Sequence, residues 1–142
     1  MNLDLIRSTA ETVRFWAEGR AAMQYGRGRL GWEEDLNGWC AIASAELWRQ
    51  LSSLGFKPEL HAWICPQDNE STHVFLVVED HVVDITATQF SKMRNIPVYI
   101  EHVKEAARWN HYQTQSVFAS PTELIRWQKK GRWPSDQIAW DK

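Results

Sequence analysis

The feature that most constrains the fold is a run of five residues, 74–78, that are apolar at every position. A strand with one solvated face alternates apolar and polar side chains, so a strand that is apolar on both faces is expected at the centre of a sheet, covered on both sides. The acidic pair Glu79-Asp80 follows, and a second strand-like run covers residues 81–86. The pattern predicts a β-hairpin with strands at residues 72–78 and 81–86.

Two polar residues of this hairpin, His73 and Asp84, depend on its register. If Glu79 and Asp80 are the two central turn residues, His73 faces Thr86, and Asp84 lies on the same face two residues away. Diagonal neighbours of that kind are about 7–8 Å apart, which allows an imidazole and a carboxylate to form a hydrogen bond. A turn centred one residue later keeps the shared face but moves Asp84 out of reach. A shared role for His73 and Asp84 therefore requires the first register, with Glu79 and Asp80 as the central turn residues.

Two helices are predicted before the hairpin. Apolar residues recur at near-helical spacing over residues 3–24, and a second apolar stripe covers residues 39–54. Gly55 is expected to close the second helix as its C-terminal cap. Asn37 is expected to be the N-cap, because its amide can accept from backbone N–H groups, and Cys40 is then about the third helical residue. At that position the unpaired amides and the helix dipole act on the side chain of Cys40.

The other elements complete an α+β architecture. Residues 58–65 and 98–103 are predicted strands, and Ser120-Pro121-Thr122-Glu123 is a capping box that begins a last helix through about Lys130. The chain shows no internal repeat, so residues 1–142 are expected to form a single domain. We predict that the second helix packs on an antiparallel sheet, with further helices from the N- and C-terminal segments.

Composition excludes several classes of protein. The net charge is −2 and no run of like charge exceeds three residues, so we expect no nucleic-acid partner. The N-terminus is charged throughout, unlike a signal peptide, and no stretch approaches the length needed to cross a membrane. Two cysteines cannot form a disulfide framework of the secreted kind, so we expect a reduced, cytoplasmic setting.

Neither a metal nor a cofactor is expected. The cysteines and histidines that could combine, at positions 40, 61, 65 and 73, include no Cys-x-x-Cys or His-x-x-x-His pair. The early glycine-rich segment lacks the order of a phosphate-binding loop, and no predicted strand precedes it.

Cys40, His73 and Asp84 occur in the order of a nucleophile, a base and an orienter. A thiol reacts as the thiolate, which a helix N-terminus and a nearby imidazole both favour. We expect Cys40 to attack an acyl carbon, His73 to take and later donate the proton, and Asp84 to fix the imidazole tautomer. The backbone N–H of Cys40 would stabilise the oxyanion, with a second donor from the neighbourhood of Asn37 or Trp39.

Each of the three residues also has a structural explanation. A single cysteine at a helix start is more often a small buried hydrophobe, and His73 could be a hydrogen-bonded strand terminus. Asp84 is harder to explain alone, because an acid between Val83 and Ile85 is costly to bury without a partner. The three together, in this order and on these elements, favour catalysis. Most of the nine tryptophans are expected in the core, with Trp39, beside the candidate nucleophile, as the exception.

Residues 36–90 resemble the papain-like and transglutaminase-like cysteine enzyme superfamily. The stretches that carry the resemblance are Leu36-Asn37-Gly38-Trp39-Cys40-Ala41-Ile42-Ala43-Ser44, His73-Val74-Phe75-Leu76-Val77, and Val83-Asp84-Ile85-Thr86 with Gln89-Phe90. The family places cysteine at a helix start, histidine at the head of a following strand, and Asp or Asn on the next strand, which implies Cys40, His73 and Asp84 here. The Asp-Ile-Thr-x-x-Gln-Phe ending is similar to small bacterial and phage members, and Gln89 is a further candidate for oxyanion or substrate binding.

The resemblance has one departure and implies a class of reaction. Papain-like peptidases carry a glutamine upstream of the cysteine, where this chain has Glu34 and Asp35. The predicted function is thiol-based hydrolysis of an amide, isopeptide or glutamine side chain in a protein or peptide, through an acyl-thioester intermediate. Transglutaminase-like transfer to an amine is the close alternative, and a non-enzymatic protein-interaction module on the same fold is the distinct one. The sequence leaves the oligomeric state open.

Overall fold

The computed structural model describes residues 2–25, 39–64, 72–114 and 116–127. The helices in these ranges are α1 (Leu3–Tyr25), α2 (Cys40–Ser53), α3 (Val103–Ala106) and α4 (Pro121–Trp127). The strands are β1 (Glu59–Ile64), β2 (Thr72–Val78), β3 (His81–Asp84), β4 (Tyr99–His102) and β5 (Ser116–Phe118). Short 3-10 turns lie at Ala87–Gln89, Ser91–Met93 and Asn110–Tyr112.

The strands form an antiparallel sheet in the order β4-β3-β2-β1-β5. β2 is the central strand, as its unbroken apolar run predicts, and Val74, Phe75, Leu76 and Val78 are all buried. The fold is therefore α+β, with helices and turns around a five-stranded antiparallel sheet, and this coarse class is confirmed.

The hairpin of β2 and β3 has the register on which the site depends. Val78 pairs with His81, which leaves Glu79 and Asp80 as the two central turn residues, and the predicted register is confirmed. Both turn residues have positive φ, 51° and 62°, the left-handed conformation that matches a two-residue turn to the twist of its strands. L-residues adopt this conformation at a cost in free energy, which is smaller for Asn and Asp than for other residues and is absent for glycine.

Replacing Asp80 with glycine should raise the free energy of unfolding by about 0.5–1 kcal/mol, because glycine adopts positive φ without a Cβ clash. Part of the gain is offset by the greater freedom of glycine in the unfolded chain. Urea denaturation measures the difference, and Asp80→Ala is the control, since alanine keeps the clash. A glycine variant no more stable than the alanine variant would contradict the argument.

The side chains of β2 alternate between two buried clusters on opposite faces of the sheet. The helix-side cluster joins the even-numbered residues of β2 to α1 and α2, and it includes Val74, Leu76, Val78, Ile6, Val13, Cys40, Leu47 and Leu51. The turn-side cluster joins the opposite face to later parts of the chain, and it includes Phe75, Val82, Met93, Tyr99, Ala106 and Tyr112. The two clusters explain why both faces of β2 are apolar.

Helix α2 begins later than the sequence pattern predicts. Trp39 is its N-cap, with φ −107° and ψ 2° and no side-chain capping hydrogen bond, so Cys40 is the first helical residue and not the third. The prediction of Asn37 as the N-cap is wrong, because the backbone already leaves helical geometry at Trp39; Asn37 itself lies outside the described residues. The predicted cap at the other end is confirmed, since Gly55 has φ +95° and Phe56 N–H donates to the carbonyl of Leu51.

The remaining elements follow the sequence in part. β1 and β4 lie within their predicted ranges, and β3 ends at Asp84 instead of Thr86. The predicted capping box at the start of α4 is confirmed in part: Glu123 N–H donates to Ser120 Oγ, but the Glu123 carboxylate accepts from the N–H of Ala119 and not from that of Ser120. The predicted end of that helix and the residue Cys65 lie outside the described residues. Helix α3, strand β5 and the 3-10 turns were not predicted. Within the described ranges, none of the helices combines the length and apolarity needed to cross a bilayer.

Candidate active site

His73 and Asp84 form a buried hydrogen-bonded pair at one end of the sheet. His73 Nε2, on β2, lies 2.6 Å from Oδ2 of Asp84, the last residue of β3. The exposed fractions of the two residues are 1% and 0%. The prediction that the register brings the imidazole and the carboxylate within reach on one face is confirmed.

Asp84 accepts hydrogen bonds from three further donors. The hydroxyl of Tyr112 lies 2.6 Å from Oδ2, the same oxygen that faces His73. The backbone N–H and the hydroxyl of Thr86 lie 2.8 Å and 3.2 Å from Oδ1. Both carboxylate oxygens are therefore satisfied, which is what allows an acid to be buried completely.

These contacts keep the carboxyl of Asp84 ionised. Burial by itself would raise the pKa of Asp84, but attraction to the His73 ring and hydrogen bonds from His73, Tyr112 and Thr86 outweigh burial, so the pKa lies below its usual value. Burial raises the pKa of Tyr112 well above its usual value, and the nearby charge of Asp84 raises it further. At neutral pH a phenol therefore donates to a carboxylate.

Gln89 contacts the other nitrogen of the His73 ring. Its Nε2 lies 3.0 Å from His73 Nδ1, and the same atom lies 3.1 Å from the carbonyl oxygen and 3.3 Å from the hydroxyl of Thr86. The sequence predicted Gln89 as a contact for substrate or oxyanion; in this structure its amide is bonded within the site. Asp84, His73, Gln89 and Thr86 thus form a closed ring of hydrogen bonds.

Aromatic side chains surround the His73 ring. Phe90 meets it edge-on at 4.8 Å between ring centroids, and Phe75 is stacked at 5.8 Å. His111 lies edge-on at 5.8 Å and is itself stacked on Phe90 at 3.7 Å. Burial lowers the pKa of His111, the His73 ring also lowers it and Asp84 partly opposes them, so that the pKa lies at about 4. His111 is therefore neutral at pH 7, and its ring packs in the site without contributing a charge.

Cys40 lies at the same end of the sheet but in the helix-side cluster. Ser44 Oγ donates to the carbonyl of Val74 at 3.2 Å, and Trp48 Nε1 donates to the carbonyl of Pro58. Pro58 directly precedes Glu59, which pairs with Val77 near the end of β2, so α2 runs along β2 in the same direction. Cys40 lies about one helical turn before Ser44, which is about 5.4 Å along the axis of α2. This distance places Cys40 level with the start of β2. The exposed fraction of Cys40 is 2%.

The sequence-predicted residues therefore fall into two groups. His73, Asp84 and Gln89 are brought together on the turn side, whereas Cys40 belongs to the helix-side cluster. Trp39 is buried beside Cys40, and its indole Nε1 has no hydrogen-bond partner within the described residues.

Sequence reasoning missed two donors to Asp84. Thr86 could have been predicted from the local sequence, because an Asp side chain often accepts a hydrogen bond from the backbone N–H two residues later, in an Asx turn. Tyr112 had none, because it is 28 residues from Asp84 along the chain and arrives on a 3-10 turn.

Comparisons with protein families, with curated proteins and with solved structures give no match to this chain. Among residues 2–25, 39–64, 72–114 and 116–127, no group of three His, Cys, Asp or Glu side chains is arranged to hold a metal ion. The geometry of the site is therefore what indicates a function.

Proposed function

We propose that the protein is a cysteine-dependent hydrolase of a papain-like or transglutaminase-like type, acting on an amide, isopeptide or glutamine side chain of a protein or peptide. Cys40 is the proposed nucleophile, His73 the general base and acid, and Asp84 the residue that orients the imidazole. The observation that supports this most directly is the 2.6 Å hydrogen bond between His73 Nε2 and the buried carboxylate of Asp84.

The proposed reaction uses the two ring nitrogens differently. Asp84 holds the ring proton on Nε2, which leaves the lone pair of Nδ1 to accept the thiol proton as the sulfur of Cys40 attacks the carbonyl carbon. His73 then donates that proton to the leaving nitrogen when the C–N bond breaks. Water, activated by the same Nδ1, cleaves the thioester, and the sulfur recovers its proton.

The position of Cys40 in α2 supports the role of nucleophile. As the first helical residue, it lies where the helix dipole favours a negative charge on its side chain. The proposal also requires the sulfur of Cys40 to reach both the Nδ1 atom of His73 and the substrate, and this requirement can be tested by its reactivity.

The reactivity of Cys40 towards iodoacetamide at pH 7 tests the proposal. We expect Cys40 to be alkylated faster than Cys65. We also expect His73→Ala to lower the rate of Cys40 alkylation by at least about 10-fold, because the imidazole that favours the thiolate is lost. Peptide mass spectrometry measures both rates in one sample. His73→Gln, which keeps a polar side chain in the buried position, should show the same loss.

The matched control is His81→Ala, which removes an imidazole from the opposite end of the same hairpin and should leave the rate unchanged. Near-UV circular dichroism shows whether each variant keeps its tertiary structure. The proposal is wrong if Cys40 reacts no faster than Cys65, or if its rate does not depend on His73 in folded protein.

A second candidate is a non-enzymatic interaction module. The observation that favours it is that Cys40 is 2% exposed and packs with α1 and α2, while His73 packs on the opposite face of the sheet. In this case the hydrogen bonds of Asp84 serve to hold the end of the sheet. Slow alkylation of both thiols, unaffected by His73→Ala, would select this candidate.

A further inference from the structure

The orientation of the Gln89 amide is determined by Thr86. The carbonyl oxygen of Thr86 can only accept a hydrogen bond, so the amide must present its NH₂ group to it at 3.1 Å. The hydroxyl of Thr86 donates to Asp84 and can therefore accept from the same NH₂ group at 3.3 Å. A rotated amide would place its oxygen against the carbonyl oxygen.

Because the NH₂ group faces Thr86, it also faces the His73 ring as a donor. Gln89 Nε2 lies 3.0 Å from His73 Nδ1, so Nδ1 must accept this hydrogen bond and carry no proton. On the other side of the ring, the carboxylate of Asp84 can only accept, so Nε2 must carry the proton. The two neighbours therefore select one neutral tautomer.

The two neighbours act in opposite directions on the charged form of the ring. A second proton on Nδ1 would be attracted by Asp84, but it would point at the N–H of Gln89, so that two donors would meet at 3.0 Å. The other polar groups near the ring place no charge or donor against Nδ1. His111 is neutral at pH 7, because its pKa is lowered to about 4, mainly by burial, and the hydroxyl of Tyr112 is bonded to Asp84. Among the described residues that contact the ring, Gln89 is the one whose hydrogen bond to Nδ1 would be lost if Nδ1 carried a proton.

We infer that Gln89 is a positioning residue that holds His73 as the neutral tautomer with its lone pair at Nδ1. The catalytic meaning of this assignment rests on the proposed cysteine chemistry, because Nδ1 is the atom that accepts the thiol proton. During the reaction the amide gives up Nδ1 to the thiol and keeps its bonds to Thr86. Asp84 selects which nitrogen carries the proton, and Gln89 ensures that the other nitrogen carries none.

Nitrogen-15 NMR of the protein labelled at histidine tests the inference, because the shifts of the two ring nitrogens report where the protons are. At pH 7 the His73 ring should show a protonated Nε2 and an unprotonated Nδ1. In Gln89→Glu the carboxylate accepts where the amide donated, so the unprotonated Nδ1 signal should be lost and both nitrogens should appear protonated. The signals of His73 are assigned by their absence in His73→Gln.

The matched control is Gln113→Glu, the same change at an exposed amide that bonds to the Ala107 carbonyl. It should leave the His73 signals as in the wild type. A wild-type ring with its proton on Nδ1, or with both nitrogens protonated, would overturn the inference without any variant. So would a Gln89→Glu spectrum identical to the wild type.

The experiment separates this inference from the proposed function. If the NMR results are as expected but Cys40 alkylation does not depend on His73, Gln89 positions the ring and the cysteine chemistry is wrong. If alkylation depends on His73 but Gln89→Glu leaves the ring signals unchanged, the cysteine chemistry stands and the role of Gln89 is wrong.

Discussion

Replacing Asp84 with alanine should lower the free energy of unfolding by about 3–5 kcal/mol at pH 7, because each buried donor that loses its acceptor costs about 1–3 kcal/mol, and this is the largest effect we expect from a single change. Asp84 is 0% exposed, and its removal leaves the ring N–H of His73 and the hydroxyl of Tyr112 without their buried acceptor. The N–H of Thr86 loses its acceptor as well. Urea denaturation followed by tryptophan fluorescence measures the change.

Two variants control this measurement. Glu11→Ala removes an exposed acid from α1 and should change stability by less than about 0.5 kcal/mol. Asp84→Asn keeps the shape but turns one oxygen into a donor, which then faces two other donors unless the His73 ring changes its tautomer. The free energy of unfolding of Asp84→Asn should therefore lie between those of the wild type and Asp84→Ala. A loss below about 1 kcal/mol in Asp84→Ala would show that the network contributes little to folding.

The same comparison has a defined dependence on pH. Because the pKa of Asp84 is lower in the folded state than in the unfolded chain, its contribution to stability is complete above the unfolded value. The contribution is lost as the pH falls through the lowered folded value. The difference between the wild type and Asp84→Ala should therefore be constant near neutral pH and shrink below about pH 4.

The hairpin shows how much of the site a local pattern could predict. The apolar run at 74–78 required a central strand, and the pair Glu79-Asp80 left a two-residue turn, so the shared face of His73 and Asp84 followed from alternation alone. The information lies within about a dozen neighbouring residues, where strand geometry leaves few arrangements.

The position of Cys40 relative to His73 could not be predicted in the same way. Both faces of β2 are apolar, so the pattern does not say which face α2 covers. The structure places α2 on the face of Val74, opposite the His73 ring. Tyr112 was missed for a related reason, because its contact with Asp84 depends on how a segment without clear periodicity folds back over the sheet.

A buried arginine connects α1 to the segment that carries the site. Arg14 is 4% exposed, and its Nη1 donates to the carbonyl of Ile85 and to the hydroxyl of Thr88, both at 2.9 Å, while its Nε donates to Glu18 at 2.7 Å. These bonds hold the chain that follows β3. Neither the helical pattern of α1 nor the family resemblance pointed to Arg14, because Ile85 and Thr88 are more than 70 residues away along the chain.

Replacing Arg14 with methionine should lower the free energy of unfolding by about 2–4 kcal/mol, because the carbonyl of Ile85 is buried and loses its charged donor. Methionine keeps an unbranched stem, so the loss reports the hydrogen bonds more than the packing. Arg7→Met, at an exposed position of the same helix, should change stability by less than about 0.5 kcal/mol. Because Ile85 and Thr88 flank the residues that bond to Asp84 and His73, the His73 ring signals should broaden or shift in Arg14→Met and not in Arg7→Met. Equal stability of the two variants would mean that the link between α1 and the site contributes nothing to folding.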